Sequence, residues 1–294
     1  MKIAVLILCH KNPEQINLML DAMKHPAFTF FILIDKKSAI KDKIRLRSDI
    51  IVLPDDQRIC IQWGKISKVD ASLTLFKFAS LHGNFDFYWF CSGQDFPIKR
   101  VGDIISWFDN HSNNDFIDVI SSKNYGLSRE NNFDKRNAIY FPLWLLGNRF
   151  LQRVFKRLYI ELTGGYNHTF KWARRIPLEN MPFYFGSEWV CLSNQTLNWM
   201  FEYLDKNSDY YTYMRNCSCP DESFYQTLFM NSPYANKRLD YLHYIDWSEG
   251  KSSPKTLKTE DMDKLLKSSK LMARKFDIET DRNILMMLQN YIST

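Results

Sequence analysis

The sequence predicts an α/β protein with a mostly parallel central sheet flanked by helices. Three observations carry this: short runs that are apolar at nearly every position, segments of helical period between them, and no repeat or linker that would divide the 294 residues. A strand covered by helices on both faces reads as a continuous aliphatic run, and Lys2 to Cys9 is such a run. It leads into Asn12-Pro13-Glu14-Gln15, a helix start. Asn12 can cap, Pro13 suits the first helical position, Gln15 can complete a capping box, and Ile16, Met19, Leu20 and Met23 fall on one side. Phe28 to Ile34 repeats the buried-strand pattern, so the chain opens strand, helix, strand.

The alternation continues. Ser67 to His82 has helical spacing at Val69, Leu73 and Phe76, Asp86 to Ser92 is another apolar strand, and Val101 to Phe108 is helical. Phe116 to Ile120 and Ser187 to Leu192 are read as strands. The latter is followed by a helix that Ser193 caps, with Leu197, Met200, Phe201 and Leu204 on one side. Pro220-Asp221-Glu222 is expected to start a helix carrying Phe224 and Leu228, Thr259 to cap a short acidic-started helix, and Ile278 to Tyr291 to form a closing helix.

Composition excludes several classes. With 45% hydrophobic and 15% aromatic residues and a net charge of +6, the chain is not a disordered tail. No apolar run approaches the roughly 18 residues of a spanning helix, and Ile3 to Cys9 is too short and poorly ended for a secretory signal. A cytoplasmic protein, peripheral at most on the inner membrane face, is the expectation. The cysteines at 9, 60, 91, 191, 217 and 219 lie mostly in apolar stretches without metal-binding spacing, and are read as buried free thiols. Between Asp134 and Arg175, nine basic residues face two acidic ones, so this one stretch makes the protein basic. Within it, Trp144 to Tyr159 interleaves apolar residues with Arg149, Arg153, Lys156 and Arg157, a composition suited to an amphipathic helix on an anionic membrane. A basic helix packed on its own core is the alternative.

In an open α/β sheet, ligands bind beyond the carboxyl ends of the strands, which places His10, Asp35 and the Ser92-Gly93-Gln94-Asp95 turn on one crevice suited to a nucleotide. No G-x-G-x-x-G follows the first strand and no P-loop occurs, which disfavours dehydrogenases and P-loop NTPases.

Eight motifs in series then resemble the core-2/I-branching N-acetylglucosaminyltransferases and their peptide O-xylosyltransferase relatives. They are Cys9-His10-Lys11, Ile34-Asp35-Lys36-Lys37-Ser38, Trp63-Gly64 with Ser67 and Ala71, and Ser92 to Lys99; then Gly186-Ser187, Pro220-Asp221-Glu222, Tyr244 to Trp247, and Ala273 to Asp277. The likeness implies a single GT-A-type glycosyltransferase domain over 1–294, with a basic aromatic insert at about 131–182. It also implies inverting transfer from a UDP-sugar to a glycan hydroxyl, with UDP-GlcNAc as default donor and UDP-xylose as alternative. Lipid-linked acceptors are compatible with it, as is membrane contact through 144–159; nucleic acid is not an expected partner.

Inversion needs a carboxylate to take the acceptor's proton, and the resemblance makes Glu222 that base. An Asp-x-Asp metal motif is missing at the Ser92 to Asp95 turn, so no metal or other cofactor is expected. Arg274 and Lys275 match the basic pair that stabilises departing UDP in the family. His10 and Asp35 are the further UDP contacts, Asp35 accepting from the uracil N–H. Asp95 is assigned either to the donor sugar or to locking its turn. Trp63, Ser187 and Trp247 are the remaining pocket candidates. A catalytically dead glycan-binding relative is the rival reading.

Overall fold

The computed structural model describes residues 1–121, 133–165, 168–178, 181–251 and 253–293. In chain order, β1 (Ile3–Cys9), α1 (Pro13–Ala22), β2 (Phe28–Ile34), β3 (Ile50–Val52) and α2 (Ser67–His82) come first. They are followed by β4 (Phe87–Ser92), β5 (Phe96–Pro97), α3 (Val101–Asn110), β6 (Asp115–Phe116) and β7 (Ile120–Ser121). Next come α4 (Phe133–Ala138), α5 (Phe150–Leu162), β8 (Tyr184–Phe185), β9 (Cys191–Ser193), α6 (Asn194–Lys206), α7 (Ser208–Arg215) and α8 (Phe224–Met230). β10 (Arg238–Leu239), β11 (His243–Ile245), α9 (Met262–Lys267), β12 (Met272–Arg274) and α10 (Arg282–Ser293) complete the fold.

Seven strands form the central sheet in the order β10-β6-β9-β4-β1-β2-β3. Its β4-β1-β2-β3 half is parallel throughout. β9 runs antiparallel to both β4 and β6, so the sheet is mixed and mostly parallel, as the apolar runs predict. A second sheet, β11-β12-β5, lies beyond the end of β4, and β7 pairs with β8.

The uniformly apolar strands serve two cores at once, because alternate side chains point to opposite faces. Ile3, Val5 and Ile7 of β1 join α1, α3 and α10 on one side, where Ile16, Leu20, Ile104, Phe108, Leu285 and Leu288 are fully buried. Ala4, Leu6 and Leu8 join α2, α6, α7 and α8 on the other, around Leu75, Phe76, Met214 and Phe224. Burying each such large side chain contributes about 1.5–3 kcal/mol. A third, small cluster of Ile139, Phe141, Leu146 and Ile160 belongs to the basic segment.

Several local expectations change. Asn12 takes a left-handed backbone and donates to Asp277 instead of capping α1. Gln15 completes no capping box; fully buried, it donates to the carbonyl of Gly93 and accepts from the N–H of Ile278, tying two distant loops to α1. Thr259 lies in a 3-10 turn, where its hydroxyl donates to Asp281. The closing helix starts at Arg282, later than the spacing suggests. The stretch from Ser187 pairs as a strand only from Cys191, Phe116 to Ile120 splits into the ends of β6 and β7, and the amphipathic segment is helical from Phe150. Pro220–Glu222 form a separate 3-10 turn, entered through left-handed Cys219, and α8 begins after it. Five of the six cysteines are buried free thiols; Cys60 is exposed.

Candidate active site

Strand register builds the floor of the site. β1 pairs Cys9 with Ile34 of β2 and Leu8 with Ser92 of β4, so the three strands end flush and deliver His10, Asp35 and Gly93 side by side. Gly93 is required by space: a Cβ there would stand 2.7 Å from the Cβ of Cys9. These residues line a cavity of about 710 Å³ together with Trp63, Lys68, Trp189 and Arg274. Six Lys and Arg side chains reach its wall, against one carboxylate, that of Asp35. Such a wall suits an anionic ligand.

Arg274 arrives from the second sheet. β12 pairs Ala273 with Phe96 of β5, which sets the next residue over the Ser92 to Asp95 turn. There its Nη1 donates to Asp95 Oδ1 and to Ser92 Oγ, both at 2.7 Å, while the guanidinium stacks on Trp189 at 4.1 Å. Asp95 is fully buried and does not line the cavity. Its other oxygen takes the N–H of Ser92 at 2.7 Å. Burial alone would raise the Asp95 pKa, but the Arg274 charge, His243 and the Ser92 N–H outweigh it and hold the carboxyl below its ordinary value. Asp95 is therefore a positioning residue that fixes Arg274 and locks the turn; the donor-sugar contact assigned to it is not what this burial permits.

Among the described residues, one group of three side chains, Cys91, Asp95 and His243, has the donor atoms of a metal site. Both Asp95 oxygens already accept hydrogen bonds, from Arg274 and from the Ser92 N–H, and burial pushes the Cys91 thiol well up. The cation in contact with Asp95 is the Arg274 guanidinium.

On the far wall, Lys68 of α2 donates to Glu188 Oε1 at 2.5 Å and lies 3.3 Å from Asp221 Oδ2. One cation thus bridges two carboxylates. Burial is the largest influence on Glu188 and lifts its pKa to about 7, with Asp221 adding to the rise and Lys68 and Arg274 opposing it. Glu188 Oε2 and Asp221 Oδ1 are buried without a hydrogen-bond partner among the described residues, and neither residue lines the cavity.

Glu222 follows Asp221 in the same 3-10 turn, which two backbone bonds anchor: Cys219 N–H to the Gly64 carbonyl, and Gly186 N–H to the Glu222 carbonyl. Gly186 admits no side chain, since a Cβ would lie 2.0 Å from the Asp118 carbonyl. Arg136 of α4 donates to Glu222 Oε2. Burial raises the Glu222 pKa, Arg136 lowers it and Asp221 raises it, the net direction being upward. Because α8 starts after Glu222, no α-helix first turn supports its anion, and Arg136 is what opposes protonation. Its side chain is still 40% exposed, so a substrate can reach it. Beside it, Arg136, Lys156, Ser218, Cys219 and Trp63 line a second pocket of about 140 Å³. Trp63 belongs to both.

Of the nine expected residues, four, His10, Asp35, Trp63 and Arg274, line the large cavity; Glu222 and Lys275 do not. From Glu222, the path to Arg274 runs through neighbouring Asp221, Lys68, Glu188 and Trp189, and Lys68, Trp189 and Arg274 share the large cavity. Lys275 sits near His10 and Lys11, close enough for its charge to lower the His10 pKa after burial and Lys11. Its Nζ reaches Ser253 Oγ at 3.5 Å, and among the described residues no carboxylate lies within ion-pair distance of it. Ser187 and Trp247 are not on the cavity wall. The Ser187 carbonyl accepts from Gln226 and its N–H donates to Asp118, so it supports the loop; Trp247 is surface-exposed. Sequence reasoning missed Lys68, Arg136, Glu188 and Trp189. Glu188-Trp189 directly follows the Gly186-Ser187 motif, which is the one hint the chain contains.

A family model described as "Core-2/I-Branching enzyme" matches residues 3–268. Xylosyltransferase 1 of Homo sapiens is 22% identical over 99% of this chain, and that of Rattus norvegicus likewise, the chain spanning 30% and 35% of their respective lengths. The chain belongs to the core-2/I-branching enzyme family. Among solved structures, it is similar to an active-site mutant of LgtC (TM-score 0.44, 8% identity, 99% of this chain and 96% of that one). A second is apo xyloside xylosyltransferase 1 of mouse (TM-score 0.36, 10% identity, 93% and 97%).

Proposed function

We propose that the protein transfers a sugar from a UDP-sugar to a glycan hydroxyl with inversion, on a GT-A-type scaffold and without a metal. One observation carries this reading: a cation-walled cavity at the flush ends of three parallel strands, with reachable Glu222 at its neighbouring corner. Glu222 takes the proton of the acceptor hydroxyl as its oxygen bonds the anomeric carbon and the bond to UDP breaks. Arg274, oriented by Asp95 and Trp189, receives the diphosphate charge, with Lys275 and His10 beside it. Asp35 is the uracil contact, and Trp63, standing between the two pockets, separates donor from acceptor. Lys68, held by Glu188 and Asp221, presents its ammonium to the sugar from the cavity wall.

UDP-GlcNAc is the first donor to test. UDP-xylose is the second reading, favoured by the xylosyltransferase 1 relatives. Release of UDP from each donor, measured with and without excess EDTA, tests both points. UDP release that persists in EDTA supports the reading; loss in EDTA that manganese restores overturns its metal-free part, and no release from either donor overturns the enzyme reading.

A further inference from the structure

An amphipathic helix in a globular protein normally turns its apolar stripe inward. α5 does the reverse. At about 100° per residue, Phe150, Leu151, Val154, Phe155, Leu158 and Leu162 fall within an arc of about 140°. All six are exposed, from 41% at Val154 to 71% at Phe150 and Leu162, while the opposite side supplies the helix's one buried residue, Ile160. Trp144 before the helix and Trp172 after it are exposed as well. Contiguous apolar surface of this kind marks an interaction site.

Charge says what covers it. Residues 140–176 hold seven Lys and Arg against the single acid Glu161, and exposed Arg153 and Arg157 border one edge of the apolar arc, inside which Glu161 also falls. Apolar and aromatic side chains edged by long cationic ones that can reach sideways to headgroups fit the boundary of an anionic bilayer. A protein partner that matched the apolar arc would also have to meet the cations along its edge. Arg149 and Gln152, on the same helix start, line the large cavity, and Lys156 and Ile160 line the small one.

We propose that α5 and the flanking Trp144 and Trp172 dock the protein on an anionic lipid surface. The docking stands on the exposed face alone. That it serves an acceptor carried at the membrane rests on the sugar-transfer reading.

The test is co-sedimentation of the full chain, without any sugar donor, with vesicles of phosphatidylcholine alone and of phosphatidylcholine with phosphatidylglycerol, at low and high salt. Binding is expected to the anionic vesicles, weaker at high salt. Phe155→Ser with Leu158→Ser is expected to cut partitioning by about tenfold or more, from the apolar area lost, with an unchanged melting temperature. Arg153→Glu with Arg157→Glu cuts it too. As a second readout, brominated lipid quenches tryptophan fluorescence, and Trp144→Phe with Trp172→Phe removes that quenching. No binding to anionic vesicles at low salt overturns the proposal. So does binding that survives the Ser pair, which is charge attraction alone, and so does a concentration-dependent dimer that the Ser pair abolishes. Because no donor is present, failure here leaves UDP release unaffected, and failure of UDP release leaves the vesicle result standing.

Discussion

α10 and α5 are amphipathic helices of nearly equal length with opposite fates. α10 buries Ile284, Leu285, Leu288 and Ile292 against the core beside α1 and β5. α5 packs Ile160 on the small cluster of Ile139, Phe141 and Leu146, and turns its larger apolar arc to the outside. Periodicity fixes which residues share a face; it does not fix where that face points. The direction follows from what the rest of the chain offers, and the segment around α5 contributes too few apolar side chains to cover it.

The basic segment that carries α5 contacts the site through the Arg136 to Glu222 ion pair, and the largest expected effect lies there. Glu222→Gln should lower turnover by about 10²–10⁴-fold, the scale of a general base, while UDP binding by calorimetry stays near wild type. Undiminished turnover would detach the corner from the chemistry. Next in size is the helix pair itself. Leu288→Ala in α10 should cost about 2–5 kcal/mol of stability in urea melts, whereas Leu158→Ala in α5 should cost less than about 0.5 kcal/mol. Equal costs would mean that α5 packs like α10. The smallest effect is a shift in pH. A base must be ionised, and burial raises the Glu222 pKa, so activity should rise with pH through an acid limb above the ordinary glutamate value of 4.5. Arg136 opposes that rise, so Arg136→Ala should move the limb of kcat/KM to still higher pH. A limb that stays in place or moves down would show that the ion pair does not tune this carboxylate.

Much of the parallel half was legible. The span Phe28–Ile34 and the helix Ser67–His82 match the apolar runs and spacing residue for residue, because both pack against β1 within the parallel half. The reversal of β9 was not legible, since a short apolar run has no direction. Within the site, His10, Asp35 and Arg274 followed from strand ends and motif order. The Lys68, Glu188, Asp221 bridge could not, as it joins residues more than 30 positions apart through side chains that look like ordinary surface charges. Asp95 showed the opposite failure: its motif was visible, but only its zero exposure separates a residue that holds Arg274 from one that touches substrate.

The flush ending of β1, β2 and β4 makes the pocket work like a vernier. One residue added inside β1 would advance His10 by about 3.3 Å and flip it to the other side of the sheet. Length changes at the opposite edge, in Lys24 to Ala27 or His82 to Asp86, would leave that alignment untouched. Tags and insertions belong at that edge, and the strands themselves should be kept at their native count.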